Sequence, residues 1–144
     1  MMTGETELKK LIAKMHPVLG EFPYVFCTLK LEDTNRLPFA PFGIFREPEG
    51  ITLIATERQA RDSNLPFEST WACITLTVHS SLLAVGFLAA VLDRLAHAGI
   101  SVNPVSAYYH DHLFVPWESR RKAMDALEEL SHTRGVKSPH RKKR

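Results

Sequence analysis

The sequence predicts an α+β protein in which helices cover one face of an antiparallel sheet. Residues 72–78 carry Ile74, Leu76 and Val78 in alternation with threonines, which is typical of a strand with one buried face. The apolar residues that follow recur at spacings of three and four, which indicates a helix. Two further runs, at residues 101–108 and 112–115, predict paired strands before a last helix. The order strand–helix–strand–strand–helix is most of a ferredoxin-like unit.

The helix of this stretch is predicted to begin at Ser80 or Ser81, because a hydroxyl there can accept hydrogen bonds from the free amides of the first turn. Its apolar face is formed by Leu82, Val85, Leu88, Ala89, Leu92, Leu95 and Ala96. We expect it to end at Gly99, which suits the left-handed position after a helix, with Ile100 folding back onto the last turn.

The strand at residues 101–108 contains Pro104. Proline cannot donate a hydrogen bond to a neighbouring strand, so this strand should lie at a sheet edge or carry a bulge. Residues 109–111 predict a turn, and residues 112–115 the return strand. Pro116 is predicted to open the last helix, whose apolar face is formed by Ala123, Met124, Leu127 and Leu130.

The first half of the chain also predicts a hairpin followed by a helix. Its predicted elements are a helix at residues 5–15 and strands at residues 24–31, 42–47 and 51–56. Pro17 ends the first helix, because the residue before a proline avoids the helical region. Thr56 and Gln59 form the capping-box pattern that opens a short second helix.

Residues 75–116 resemble the ACT domain, the regulatory amino-acid-binding module of metabolic enzymes. The resemblance is carried by Ser81-Leu82-x-x-Val85-Gly86 and by Leu95-Ala96-x-Ala98-Gly99-Ile100-Ser101-x-Asn103. The whole chain is most similar to a family of short bacterial and fungal proteins of unknown function built from tandem ACT-like units. That closer match is carried by Val78-His79-Ser80-Ser81 and Tyr108-Tyr109-His110-Asp111-His112.

The resemblance implies two tandem ACT-like, ferredoxin-like units. We assign residues 1–68 to a degenerate N-terminal unit and residues 69–131 to a C-terminal unit. The strand at residues 72–78 could close the first unit, open the second, or serve both. Residues 132–144 are expected to form a disordered basic tail, because they contain no apolar period.

Charge and composition exclude several classes of protein. The tail contains six Lys and Arg residues and no acidic residue, which leaves a net charge of −4 on the remaining chain. The basic balance therefore describes a tail and gives no reason to expect a specific nucleic-acid surface. No apolar run approaches the roughly 20 residues of a membrane span, and residues 1–15 do not form a signal peptide. Cys27 and Cys73 are expected to be buried, reduced thiols in a cytoplasmic protein.

The resemblance implies a ligand at His79, Ser80, Ser81 and Leu82, between two units. Exposed amides at a helix N-terminus suit a carboxylate. Asn103 would face the same cleft, and Gly86 would permit a close approach of backbone or ligand. The alternative is that the serines only cap the helix and Asn103 only lies on a sheet edge.

Three other features could bind ligands. His110 and His112 alternate along a strand and could reach one metal, but no third ligand is spaced to join them. Tyr109 and His110 could contact a ligand. Arg46 could bind a carboxylate, although a cross-strand ion pair with Glu47 is the more ordinary interpretation. No cofactor is predicted.

These observations predict a regulatory module that binds a small molecule, with an amino acid as the expected ligand. The sheet edge at residues 101–108 predicts a homodimer, and any regulated enzyme would be a separate chain. The sequence has no phosphate-binding loop, Cys-x-x-Cys or Gly-x-Ser-x-Gly motif, so we expect no enzyme. The alternatives are a small-metabolite enzyme that uses His79, His110 or Asp111, and an interaction subunit without a ligand.

Overall fold

The computed structural model describes residues 4–78 and 84–135, with side chains for residues 8–78 and 84–132. The described helices are α1 (Gly4–Lys14), α2 (Glu57–Asp62), α3 (Phe87–His97) and α4 (Arg120–Gly135). The described strands are β1 (Pro17–Leu19), β2 (Tyr24–Leu29), β3 (Gly43–Glu47), β4 (Gly50–Thr56), β5 (Trp71–Leu76), β6 (Asn103–Ser106) and β7 (Asp111–Pro116). The predicted α+β class is confirmed, with helices on one face of a curled antiparallel sheet.

Strand β5 is the centre of the sheet, whose order is β3-β4-β2-β5-β7-β6. Along one side β5 pairs with β7 over its whole length. Along the other side it pairs first with β2, only at Tyr24 and Trp71, and then with β1. Between β1 and β2 the amide of Gly20 donates to the carbonyl of Cys73 at 2.8 Å, which keeps the chain against β5.

Two ferredoxin-like strand sets share β5. In the set β2, β3, β4 and β5, the first and third strands are central, and β5 is the last. In the set β5, β6, β7 and β1, the first and third strands are again central, but β5 is now the first. The N-terminal strand β1 therefore supplies the fourth strand of the second set. Of the alternatives that the sequence left open, β5 serves both sets.

The larger core lies between the second set and three helices. Its buried residues include Ile12 from α1, Met15 directly after α1, Val91 and Leu95 from α3, and Ala123 and Leu127 from α4, over Ile74, Leu76, Leu113 and Val115. Helix α1 therefore packs with the C-terminal half, although the sequence assigned residues 1–68 to the first unit. The division between residues 68 and 69 stays a prediction.

The first set has a smaller core and shorter helices. Val25, Cys27, Ile51 and Leu53 are buried beneath Ala60 of α2. Between β2 and β3 the described chain has only a 3-10 helix, Leu31–Arg36, with no buried residue. The strand predicted for residues 24–31 therefore ends at Leu29, and Leu31 is exposed because it starts this turn of helix.

The end of α3 confirms the sequence prediction, but its start does not. Gly99 has φ +74°, and the amide of Ile100 donates to the carbonyl of Leu95 at 3.0 Å, which closes the predicted left-handed cap. The helix begins at Phe87 and not near Leu82. Its N-cap is Gly86, whose φ of +85° interrupts helical geometry, so Val85 lies outside the helix and is 89% exposed.

The other predicted boundaries are partly confirmed and partly shifted by a few residues. The capping box of Thr56 and Gln59 is present at the start of α2. Pro104 lies in β6, the strand at one end of the sheet, which is one of the two positions that its missing amide allowed. Pro116 ends β7, and a short 3-10 helix separates it from α4. Helix α4 continues to Gly135, four residues into the predicted tail, and residues 136–144 lie outside the described residues.

Candidate functional site

The predicted ligand-binding turn is only partly described. His79, Ser80, Ser81 and Leu82 lie outside the described residues. Gly86 is described, and a Cβ atom added to it would lie 3.7 Å from Cδ2 of Leu8, an ordinary contact. The left-handed backbone at Gly86 is by itself a reason for glycine at this position, and the close approach of backbone or ligand stays a prediction.

Asn103 lies away from the start of α3. It is the first residue of β6 and stands opposite Phe114, which stands opposite Cys73. Leu76, the last residue of β5, is level instead with Asp111 and Ser106. Cys73 and Leu76 are three residues apart along β5, so Asn103 lies about 10 Å along the sheet from the end of β5. Asn103 also shares the face of Cys73 and Phe114, which is opposite the helices.

An open groove of about 620 Å³ includes Asn103 and lies between the two strand sets. Its lining comes from β2 and β4, from the connection between α2 and β5, and from the first residues of β5 and β6. The lining residues are Phe26, Cys27, Thr28, Thr52, Pro66, Phe67, Glu68, Ser69, Trp71 and Asn103.

The groove combines aromatic walls with polar groups. The rings of Phe26 and Trp71 meet edge to face with centroids 6.0 Å apart. Thr28, Ser69 and Asn103 supply two hydroxyls and one amide, and Glu68 is the single charged side chain among the lining residues. Such a surface can hold a small molecule with an apolar body and a few polar groups.

Sequence reasoning missed most of this groove. The segment Pro66-Phe67-Glu68-Ser69 was only a connection between a helix and a strand, without a recognisable motif. It joins Phe26 and Asn103 because β5 pairs with β2 at Tyr24 and Trp71, and that pairing connects segments distant in sequence. Asn103 is the predicted residue that lines this groove.

Arg46 lines a second open groove, of about 650 Å³, at the β3–β4 hairpin. The predicted ion pair between Arg46 and Glu47 is not among the contacts of the described residues. The carboxylate of Glu47 instead accepts a hydrogen bond from Oγ1 of Thr52, and Arg46 stands opposite Ile51. The groove also contains Lys30, Glu32, Glu47 and Glu49, so its charges are mixed.

The histidines lie on the face of the sheet opposite the helices. The ring centroids of His110 and His112 are 6.4 Å apart, and Nδ1 of His112 lies 2.9 Å from Oγ1 of Thr75. Burial lowers the pKa of His112, and the neighbouring His110 lowers it further, against a smaller opposing effect of Asp111. Over the described part of the chain, no group of three His, Cys, Asp or Glu side chains is arranged to hold a metal.

Asp111 is not the turn residue that the sequence indicated. It is the first residue of β7, is buried, and accepts a hydrogen bond from Oγ of Ser106 at 2.6 Å. Adjacent strand residues point to opposite faces, so the side chains of Asp111 and His112 do not converge. Tyr109 is exposed, and its ring meets that of Tyr108 edge to face at 4.9 Å.

Both cysteines are free and buried, as the sequence predicted. Cys27 belongs to the core beneath α2, and Cys73 to the opposite face. Burial raises the pKa of the Cys73 thiol to about 11, so this thiol stays protonated at neutral pH.

None of the helices within residues 4–78 and 84–135 is long and apolar enough to cross a membrane.

The shared strand and the two strand orders define the chain as a tandem protein of two ferredoxin-like units. Two family models, each described as "ACT domain", match it, one at residues 3–72 and the other at residues 67–129. The chain belongs to the ACT-domain family, whose members are regulatory modules that bind small molecules.

Solved structures agree with this family. The chain is 42% identical to a protein of unknown function from Vibrio cholerae, described as a possible transport protein, with a TM-score of 0.78. That match covers 90% of this chain and 99% of the Vibrio protein. No curated protein matches the chain.

More distant structures share the fold. A protein from Agrobacterium tumefaciens is 18% identical with a TM-score of 0.63, over 76% of this chain and 84% of its own. The regulatory subunit of aspartate kinase from Thermus flavus is 10% identical with a TM-score of 0.61, over 79% of this chain and 95% of its own.

Proposed function

We propose that the chain is a regulatory module that binds an amino acid in the groove between its two strand sets. The observation that carries the proposal is the lining of this groove, in which aromatic rings, an amide and a carboxylate from both sets face one space. Membership in the ACT-domain family supports a regulatory role without catalysis.

The polar groups of the groove suit the two charged ends of an amino acid. The carboxylate of Glu68 would hold the ammonium group. The side-chain amide of Asn103 and the hydroxyl of Ser69 would donate to the carboxylate. The rings of Phe26 and Trp71 would contact the side chain of the ligand.

Binding at this place would stabilise the junction between the two sets. Strands β2 and β5 pair at one residue position, Tyr24 with Trp71, so the junction is narrow. A ligand that contacts Phe26 on one side and Asn103 on the other would favour a single arrangement of the two sets. A separate enzyme would respond to that arrangement, and the exposed edge of β6 would pair with a second copy of the chain.

We place this protein in the cytoplasm, because its two buried thiols are free. The turn at residues 79–82 is the alternative ligand site, and variants can separate the two placements.

The proposal predicts that an amino acid raises the thermal stability of the chain. A ligand at 100 times its Kd adds about 2.7 kcal/mol to the free energy of unfolding, which differential scanning fluorimetry against the twenty amino acids would detect. Asn103→Ala should abolish the response. Asn35→Ala, an exposed asparagine in the 3-10 helix, should preserve it.

Other outcomes would contradict the proposal. A response lost in Ser81→Ala and kept in Asn103→Ala would move the site to the predicted turn. A response to Zn²⁺ alone, lost in His112→Ala, would favour a metal site at the histidines. No response to any of these compounds would favour an interaction subunit without a ligand.

A further inference from the structure

We propose that the groove selects an amino acid with a positively charged side chain and rejects acidic amino acids. This inference rests on the function proposed above and adds the chemical class of the ligand. It follows from the charges that line and border the groove.

The single charged side chain among the lining residues of the groove is a carboxylate. Glu68 is exposed and forms no ion pair with any residue whose side chain is described. A second carboxylate, that of Glu47, lines the neighbouring groove and accepts a hydrogen bond from Oγ1 of Thr52, which lines this one. The groove therefore has a negative potential. That potential would attract an ammonium group on the side chain of a ligand in addition to the α-ammonium group.

Among the described contacts, one cation lies over a ring of the groove, and it is already paired. Cζ of Arg61 lies 5.1 Å from the ring centre of Phe67. Two of its nitrogens donate to Oε1 of Glu57, at 3.0 and 2.8 Å, so the carboxylate of Glu57 neutralises its charge. Its position also shows that an aromatic ring of this groove already accepts a cation on its face.

The remaining rings can accept a second cation. Phe26 and Trp71 line the groove and meet edge to face, and neither ring has an Arg or Lys partner among the described contacts. A cationic side chain over these rings gains cation–π attraction. An acidic side chain would bring a second carboxylate beside Glu68 with no lining cation to pair with it, and like charges disfavour that complex.

Three ligands with one five-carbon skeleton test the inference. L-Ornithine, L-norvaline and L-glutamate end in an ammonium, a methyl and a carboxylate. By isothermal titration calorimetry at low salt, we expect ornithine to bind about tenfold more tightly than norvaline and about 100-fold more tightly than glutamate. Raising the salt concentration should reduce both ratios.

Charge-neutral variants locate the effect. Glu68→Gln should reduce the ratio of glutamate Kd to ornithine Kd from about 100 to about 10. Glu128→Gln removes an exposed carboxylate from α4, on the helical side of the sheet, and should leave the ratio unchanged. The circular dichroism spectra of both variants would confirm that they are folded.

The outcomes separate this inference from the proposed function. Equal affinity for ornithine and glutamate, or an unchanged ratio in Glu68→Gln, would overturn the inference and leave an amino-acid module in place. Binding of none of the three ligands, together with silence in the twenty-amino-acid screen, would overturn both.

Discussion

His112 is the second residue of β7 and lies on the face of the sheet opposite the helices. Its ring meets that of Phe42 edge to face at 5.3 Å, and its Nδ1 is held by the hydroxyl of Thr75 at 2.9 Å. Partial burial disfavours the charged form of the imidazole, and the like charge of His110, whose ring centroid lies 6.4 Å away, disfavours it further. These contacts favour the neutral ring.

The lowered pKa of His112 predicts a loss of stability in mild acid. The unfolded chain binds a proton near pH 6.5, whereas the folded chain binds it only at lower pH, so the free energy of unfolding falls as pH drops below about 6.5. Urea denaturation at pH 7.5 and pH 5.5 would measure this.

A matched variant isolates the contribution of His112. His112→Asn retains a polar atom near Nδ1 but does not titrate, so its stability should fall less between the two pH values. An equal fall in both proteins would contradict the assignment. His132→Asn, at an exposed residue of α4, serves as the control and should behave as the parent protein does.

Helix α3 shows how a single backbone conformation sets the limit of an element. Gly86 and Gly99 bound the helix, and both have positive φ, +85° and +74°. At Gly99 the amide donates to the carbonyl of Ala96 at 2.9 Å, which completes the cap made by Ile100 and Leu95. Ile100 is 6% exposed, so this cap also directs the chain into the core.

The cap predicts the effect of substitution at Gly99. A Cβ atom there would meet no atom within 4 Å, so any loss of stability comes from the left-handed backbone and not from a clash. Gly99→Ala should lower the free energy of unfolding by about 1–2 kcal/mol. Gly99→Asn should cost less, because asparagine adopts this conformation more readily. Equal costs for the two variants, measured by urea denaturation, would contradict this explanation.

The two units of the molecule are interlocked, because each contains segments from both halves of the chain. Strand β1 and helix α1 come from the N-terminus, but they complete the sheet and the core of the C-terminal half. The amide of Thr77 donates to the carbonyl of Met15 at 2.9 Å, and Oγ of Ser131 donates to the carbonyl of Ala13 at 3.2 Å. These bonds fix the segment against both β5 and α4.

This interlocking predicts that the C-terminal unit does not fold as residues 69–131 alone. The fragment would expose the edge of β5 and lose Ile12 and Met15, and each such buried side chain is worth about 2–5 kcal/mol. A chain of residues 69–135, followed by a flexible linker and then by residues 4–20, should fold. A well-dispersed amide NMR spectrum for residues 69–131 alone would contradict the prediction.

Local sequence determined the elements whose boundaries depend on neighbouring residues. The alternation around Ile74, the capping box of Thr56 and Gln59 and the cap at Gly99 were predicted and are present, and Pro104 lies at a sheet edge, one of the two positions predicted for it. Each depends on a backbone conformation or hydrogen bond within a few residues. The predicted start of α3 was wrong because the apolar spacing in the sequence continues from Leu82 past Gly86. Helical periodicity alone does not reveal a residue with a left-handed backbone.

The long-range arrangement could not be predicted in the same way. Nothing in the sequence of residues 4–19 states that β1 pairs with β5, because that pairing is chosen by the fit of Ile12 and Met15 into the core between α3 and α4. The groove also depends on long-range contacts. Glu68 and Asn103 are distant in sequence, and they line one groove because the strands of the sheet pair as they do. The sequence by itself therefore determined the class of fold, the family and most helix and strand types. Only the tertiary structure decided which segments complete each unit and where a ligand can enter, because both depend on contacts between residues far apart in the chain.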